Sequence, residues 1–328
     1  MKKQLIAAAV ATSVSAIAMA DISITGDLKT NYTHKDYQSA NVNDADTFTT
    51  EGNLRIKGKS GDTSVVMNFG NIDTDSAADR AQMNHEDVYL TTKIGDVNIK
   101  MGNYDNGDLA LRASSRSPRF NATTELGGFK LSYLNGNGSS SVTDSGNAQN
   151  DEVGISTSLG GVNLSYTVKD GGETVKASTS VGGVNVSYVG LPSDTADSDR
   201  TLVELSTEMS GVGIKLGQAK AETGTTITGD SWLGDYESSG GLEYTMLAGQ
   251  DVVGVELSTS VAGNKVTFRN INVDGYATAG KDWDMNKVIV TRPLASGATL
   301  EVTYKDINDD GSTTTDVEVL DIELGVKF

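Results

Sequence analysis

The chain of 328 residues has no cysteine, three prolines and two histidines. Without cysteine the protein cannot be stabilised by disulfide bonds, and thiolate metal sites and thiol nucleophiles are excluded. The two histidines, His34 and His85, are distant in the sequence, so a zinc site is not expected either. So few prolines argue against a proline-rich linker between two domains. The protein must therefore gain its stability from its architecture.

Long hydrophobic runs are also missing, and no stretch has the roughly 20 consecutive apolar residues of a typical bilayer-spanning helix. The most apolar segment is Leu5–Ile17, which follows Lys2 and Lys3 and precedes a small-x-small site at Ala18–Ala20. This pattern predicts a signal peptide at residues 1–20 and an exported mature chain, with a helical membrane anchor as the alternative. We expect residues 21–328 to form a single domain.

Positive charge is in the minority, with 26 lysines and arginines against 44 acidic residues. Removal of the two lysines of the leader changes the formal charge from −18 to −20. Nucleic acid is therefore not an expected partner, because binding phosphates needs clustered basic residues. The low aromatic content of 6% would also suit a disordered chain. The periodicity of the sequence argues against disorder.

Three similar segments repeat along the chain: LGGFKLSY at 126–133, LGGVNLSY at 159–166 and VGGVNVSY at 181–188. In each, a Gly-Gly pair precedes strict alternation of apolar and polar residues. Glycine allows the positive φ angles of two-residue hairpin turns, and alternation with period two predicts a strand. Weaker copies of the turn complete a set of eight, which begin at Gly61, Gly95, Gly127, Gly160, Gly182, Ser210, Ala262 and Ser296.

Along the chain, these tight turns alternate with long connections between the predicted strands. The long ones are polar and irregular, for example residues 135–151 and 221–240. Strands of about 9–11 residues, with short turns at one end and long loops at the other, are typical of a transmembrane barrel. A closed sheet also pairs every backbone group inside lipid. We therefore predict an all-β fold, a closed antiparallel transmembrane β-barrel with short periplasmic turns, long external loops and 18 strands, or 16 if one weak turn is misassigned.

The C-terminal segment Asp321–Phe328 alternates apolar residues and ends in phenylalanine. It resembles the closing strand of the Gram-negative outer-membrane porin family of general diffusion porins. Residues 22–29, 53–58 and 86–102 are similar to early strands of that family. The resemblance implies a homotrimer in the outer membrane, in contact with lipopolysaccharide and lipid, whose Phe328 is the signal for the barrel-assembly machinery.

The same resemblance implies that a third external loop folds into the pore and constricts it. Here that connection runs over residues 103–121 and contains acidic and basic residues: Asp105, Asp108, Arg112, Arg116 and Arg119. The family pattern sets acidic loop residues against arginines on the wall. The acidic loop tip of the family is missing here, which puts its usual cation preference in doubt.

The alternation of side chains between the two faces of each strand predicts further charged residues that face the lumen. Leu54 and Ile56 would face lipid, which places Arg55 and Lys57 in the lumen, and the same argument places Lys93 and Lys100 there. Later strands would turn glutamates inward. Our hypothesis is an eyelet that tolerates small anions; the alternative is that these charges merely solvate the wall. The inward glutamates are predicted to be Glu204, Glu208, Glu256 and Glu301.

The predicted function is passive diffusion of small hydrophilic solutes and ions through a water-filled channel, without cofactor, metal or catalytic residues. Two alternatives stay open: a substrate-specific channel, and a plugged structural or adhesive barrel.

The segment from Asp306 to Gly311 resembles the start of an EF-hand loop, but its twelfth position is Val317, so we interpret it as a hairpin loop. No nucleophile or nucleotide-binding motif argues for an enzyme.

Overall fold

The tight turns seen in the sequence form hairpins in the computed structural model of the chain. It describes residues 21–38, 43–70, 84–105, 116–136, 151–169, 172–194, 196–223, 227–228, 232–234, 245–246, 249–275, 282–309 and 316–328. The predicted signal peptide, together with Asp108 and Arg112, lies outside these ranges. No helix among these residues is long and apolar enough to span a membrane.

The two weakest turns decide the strand count. At Ser210-Gly211 both φ angles are positive, 53° and 80°, and at Ala262-Gly263 they are 50° and 80°. Positive φ at both central positions is the type I′ geometry that matches the twist of hairpin strands. Ser210 and Ala262 adopt it although side chains disfavour this region. Both turns are therefore real, and the prediction of 18 strands is confirmed over 16.

A separate two-stranded ladder pairs Ile227–Thr228 with Thr245–Met246, and the other 18 strands belong to one antiparallel sheet in which neighbours in sequence are neighbours in space. The strands are β1 Asp21–Tyr37, β2 Ala45–Ser60, β3 Thr63–Gly70, β4 Asn84–Ile94, β5 Val97–Asp105, β6 Arg116–Leu126, β7 Phe129–Gly136, β8 Glu152–Leu159, β9 Val162–Lys169, β10 Gly172–Val181, β11 Val184–Leu191, β12 Arg200–Met209, β13 Val212–Ala221, β14 Asp251–Val261, β15 Asn264–Asp274, β16 Trp283–Pro293, β17 Ala298–Asp309 and β18 Val317–Lys327.

The sheet closes where β1 pairs with β18, from Tyr37 opposite Val317 to Asp27 opposite Lys327. Phe328 extends this ladder by one residue, because its backbone N–H and C=O both bond to Gly26 at 2.9 Å. The predicted closed barrel is thus confirmed.

The two faces of the sheet differ in polarity. The outer face exposes an apolar band that includes Ile24, Met101, Leu164 and Leu324. Aromatic residues that include Tyr32, Phe48, Tyr133, Tyr166, Tyr188 and Tyr304 are exposed on the same face. Alternate residues point to the lumen and are mostly polar, as a membrane-spanning barrel requires.

Candidate functional site

The lumen of the barrel is the candidate site, and its wall carries a basic cluster on β2 to β6. Lys100 lies against two tyrosine rings, with its Nζ 4.2 Å from the centre of Tyr89 and 3.8 Å from the centre of Tyr104. The two rings meet edge to face at 5.7 Å. Arg55 donates from Nη2 to the Tyr89 hydroxyl at 3.5 Å. Cation–π contacts hold the ammonium group at the wall.

Asp87 on β4 organises the carboxylate side of this cluster. Its Oδ1 accepts from Nε of Arg116 and from the backbone N–H of Asp105, both at 3.1 Å. Its Oδ2 accepts from Asn68 at 2.9 Å, and Glu86 lies 3.8 Å from Arg116. A β-bulge between Asn68 and Phe69 shifts the register here. Asp87 could not be identified from sequence motifs, because only the fold brings these strands together.

The remaining predicted residues occupy different parts of the wall. The registers place Lys57 and Lys93 on the lumen face, nearer the tight turns than Arg55. Arg119 lies opposite Gly102 on the same face, one strand from Lys100. Asp105 and Arg116 are paired at the loop ends of β5 and β6. Both positions are on the same outer face as Met101. Arg116 nevertheless bends back to Asp87.

A cavity of about 740 Å³ lies beside Arg55, between the strands at the closing seam. Asn53, Asn68 and Glu86 line it together with Arg55. Charged and amide groups around a cavity of this size suit ions and polar solutes.

Acidic and basic residues alternate on the lumen face of the later strands. Glu256 bonds to Nε of Arg269 at 2.5 Å, and Glu204 lies 3.2 Å from Nζ of Lys215. Cations also lie directly opposite one another, Arg269 beside Lys287 and Lys287 beside Lys305. Like charges in cross-strand pairs cost stability, and nearby carboxylates such as Asp321, 3.7 Å from Lys305, offset part of that cost. This sector of the wall is densely charged.

Above these charges the lumen of the later strands is filled by apolar side chains, which the sequence analysis did not predict. Along β15, Phe268 faces outward, but Ile271 and Val273 face inward and are fully buried. The apolar phase therefore changes face along one strand without a bulge in the register. The buried inner cluster comprises Leu191, Leu202, Ala219, Ala221, Trp232, Leu233, Val252, Ile271, Val273, Met285, Ile307, Val317 and Val319.

Two members of this cluster come from the long connection between β13 and β14. A short 3₁₀ helix, Trp232–Gly234, carries Trp232 and Leu233 into the lumen, where they are 9% and 1% exposed. They occupy the space above Gly217 and Gly254, where a Cβ atom on Gly217 would lie 2.8 Å from the Trp232 ring. Trp232 donates from Nε1 to Glu204 at 2.5 Å, and Lys215 lies 4.9 Å from its ring. We call Trp232–Gly234 the inner anchor.

The inner anchor shows that a connection other than residues 103–121 enters the barrel. Residues 106–115 of the predicted constriction loop lie outside the described part of the chain, so their position stays a prediction. The signal for the inner anchor in the sequence would have been a Trp-Leu pair in a polar loop facing strand glycines.

Comparison with known proteins rests on structure alone, since no protein-family model and no curated protein matches the sequence. Pseudomonas aeruginosa OpdL aligns with a TM-score of 0.67 at 11% identity, over 94% of this chain and 99% of that one. Acinetobacter baumannii OccAB4 aligns at 0.65 and 11%, over 94% and 98%.

The outer membrane protein OpdK of Pseudomonas aeruginosa aligns with a TM-score of 0.63 at 14% identity, over 93% of this chain and 99% of that one. These alignments span nearly the whole of both barrels. The chain therefore has the 18-stranded barrel fold of the outer-membrane porins.

Proposed function

We propose that the protein is an outer-membrane porin, a water-filled channel for passive diffusion of small hydrophilic solutes and ions. The observation that carries the proposal is the closed barrel with an apolar outer band and a polar, cavity-containing lumen. An outer face of exposed Ile, Leu and Val needs lipid around it, whereas a lumen lined with charges and amides needs water. Among the described residues no group of His, Asp and Glu could hold a metal ion.

Single-channel recording of the refolded mature chain in a planar lipid bilayer tests this function. We expect ohmic current steps, because a pore held open by a rigid barrel does not need voltage or a ligand to open. Steps in groups of three would support the homotrimer that the family resemblance implies. A folded, heat-modifiable barrel that leaves the bilayer silent would contradict the channel and favour a plugged structural barrel.

The basic cluster supports a second part of the proposal, a preference for small anions. Arg55 on β2, Lys100 on β5 and Arg119 on β6 present three cations on one side of the wall, while Asp87 is engaged by Arg116. Fixed positive charge on the wall of a narrow aqueous pore raises the local concentration of anions.

Lipopolysaccharide, lipid and the barrel-assembly machinery are the other partners that we propose.

Neutralising Arg55, Lys100 and Arg119 together to glutamine should lower the anion-to-cation permeability ratio about threefold, since the local potential falls. Reversal potentials in asymmetric salt measure the ratio. The matched control neutralises Lys29, Lys265 and Lys327, which face the lumen from other strands and carry the same total charge. Equal shifts in both triple variants would show that wall charge acts only in sum and that the cluster has no special role.

A further inference from the structure

The lumen wall from β7 to β12 carries a serine at the same distance from the periplasmic turn on every strand. Each of these serines lies four residues from its tight turn. Cross-strand pairing places them side by side within hairpins, Ser156 opposite Ser165 and Ser178 opposite Ser187. We call this set the hydroxyl belt. Its members are Ser132, Ser156, Ser165, Ser178, Ser187 and Ser206.

The belt follows from the repeat in the sequence. In the repeated GGVNLSY pattern the serine is the second polar residue after the turn, so equal hairpins place it at equal height. All six serines are half-buried, which leaves their hydroxyl groups partly open to the lumen. A serine side chain is also small, so it fills little of the cross-section of the lumen.

Two cavities lie against this belt. One, of about 530 Å³, is lined in part by Ser156, Ser165, Ser178 and Ser187. The other, of about 330 Å³, shares Ser178 and Ser187 and adds Ser206. Asn163 lines both, and in the smaller cavity it is joined by Asn185. The two cavities also have charged lining residues, and the rest of their polar lining consists of neutral donors and acceptors; the charged residues are Glu125, Lys130, Lys176, Glu204 and Lys215.

The wall at β15 and β16 is occupied at comparable height. Thr267, also four residues from its turn, is only 6% exposed, and Lys287 on the neighbouring strand β16 is equally buried. The inner anchor and the apolar cluster cover the wall above them. At this height the wall of β15 and β16 is covered, whereas the two cavities lie off the barrel axis, against the serine-lined wall.

We propose that the permeation path runs along the hydroxyl belt and that its serines exchange hydrogen bonds with small neutral polyhydroxylated solutes. The proposal rests on the channel function proposed above. A serine hydroxyl both donates and accepts, so it can replace either kind of water contact that a sugar-like solute loses at the narrow part of the pore. The basic cluster borders the belt on one side, through Arg119 on β6, and biases ions that share the path.

The native absence of cysteine allows a direct test of the path. Ser165→Cys and Ser178→Cys place single thiols on the belt. Thr33→Cys, the matched control, places one on the half-buried lumen face of β1, across the barrel. Each variant is treated in the bilayer with methanethiosulfonate ethyltrimethylammonium. We expect conductance per pore to fall about twofold at either belt position, because the adduct fills the narrow section, and to stay near its starting value at Thr33.

Equal block at Thr33 would overturn the off-axis path, as would a conducting channel that is not blocked at either serine. Mass spectrometry of the recovered protein confirms that each thiol has reacted. A wild-type barrel without any current would instead contradict the channel function on which the proposal rests, so the two failures are distinguishable.

The hydrogen-bonding role is tested by Ser165→Ala combined with Ser178→Ala, which removes two hydroxyls without narrowing the pore. Liposome swelling in a neutral pentose should slow about threefold, since each alanine removes a hydroxyl that exchanges hydrogen bonds with the solute. Conductance in potassium chloride should stay the same. Threonine at both positions, which keeps the hydroxyls, should restore the swelling rate. An unchanged rate in the alanine variant would mean that the belt provides space but does not bind the solute.

Discussion

Replacing Gly254 with leucine should raise the single-channel conductance about twofold, because it removes the inner anchor from the lumen and enlarges the open section. A Cβ atom on Gly254 would collide with Leu233 Cδ2 and lie 3.0 Å from the Trp232 ring. The strand cannot yield, since β14 pairs with β13 and β15 on both sides. The 3₁₀ helix, joined to the barrel by long connections, is the part that moves.

The fluorescence of Trp232 reports the same event. The chain has only two tryptophans, so a Trp283→Phe background leaves Trp232 as the single emitter. In that background Gly254→Leu should shift the emission to longer wavelength and increase quenching by iodide, as the indole leaves its buried site and its bond to Glu204.

Gly325→Leu is the matched control for added bulk. Gly325 also faces the lumen, from β18, but the nearest atom to its Cβ would be 3.6 Å away. The control should leave conductance unchanged or slightly lower it. Trp232→Ala combined with Leu233→Ala should reproduce the increase without changing any strand. If neither route raises conductance, the inner anchor does not restrict the pore.

The second large effect is expected at the closing seam. Gly26→Ala should destabilise the folded barrel by about 1–3 kcal/mol, the usual cost of overpacking. The new Cβ would lie 2.6 Å from Cζ of Phe328 and 2.7 Å from the carbonyl oxygen of Asn53. The backbone oxygen belongs to the paired strand β2 and cannot move away, so strain falls on the β1–β18 ladder. Guanidinium unfolding in detergent micelles measures the loss.

Gly58→Ala provides the control on the same outer face. Gly58 lies on β2 opposite Ile22, and no atom lies within 4 Å of its Cβ position. Its substitution should be neutral or slightly stabilising, because alanine loses less backbone entropy than glycine on folding. Equal loss at both positions would show that the contact with Phe328 and Asn53 is unimportant.

The variant Phe328→Ala separates the structural role of the terminal ring from its proposed role in assembly. The ring covers Gly26, although it is 67% exposed, so its removal should relieve part of the Gly26→Ala strain in the double variant. If Phe328 is also the assembly signal, Phe328→Ala should be depleted in the outer membrane of cells and still refold from denaturant in micelles. Normal accumulation in cells would contradict the assembly signal.

Local features of the sequence determined most of the fold. Glycine pairs dictated type I′ turns because few other residues adopt positive φ, and strict alternation identified which side chains face lipid. Both signals depend only on neighbours along the chain, which is why the positions of all eight hairpins and the outward apolar residues could be predicted. The last connection, Leu294–Gly297, is nevertheless four residues long instead of two. The same alternation placed Arg55, Lys57, Lys93 and Lys100 on one face.

The structure alone decided what fills the barrel. Asp87, Tyr89 and Tyr104 join Lys100 and Arg116 only because four strands are adjacent and one bulge shifts their register. The inner anchor is a long-range contact between a polar connection and two strand glycines, and nothing in its local sequence identifies that partner. Alternation assigns a side chain to a face, but it cannot show which lumen residues meet across the barrel. Closure of the 18 strands sets those distances, and with them the side of the lumen that stays open.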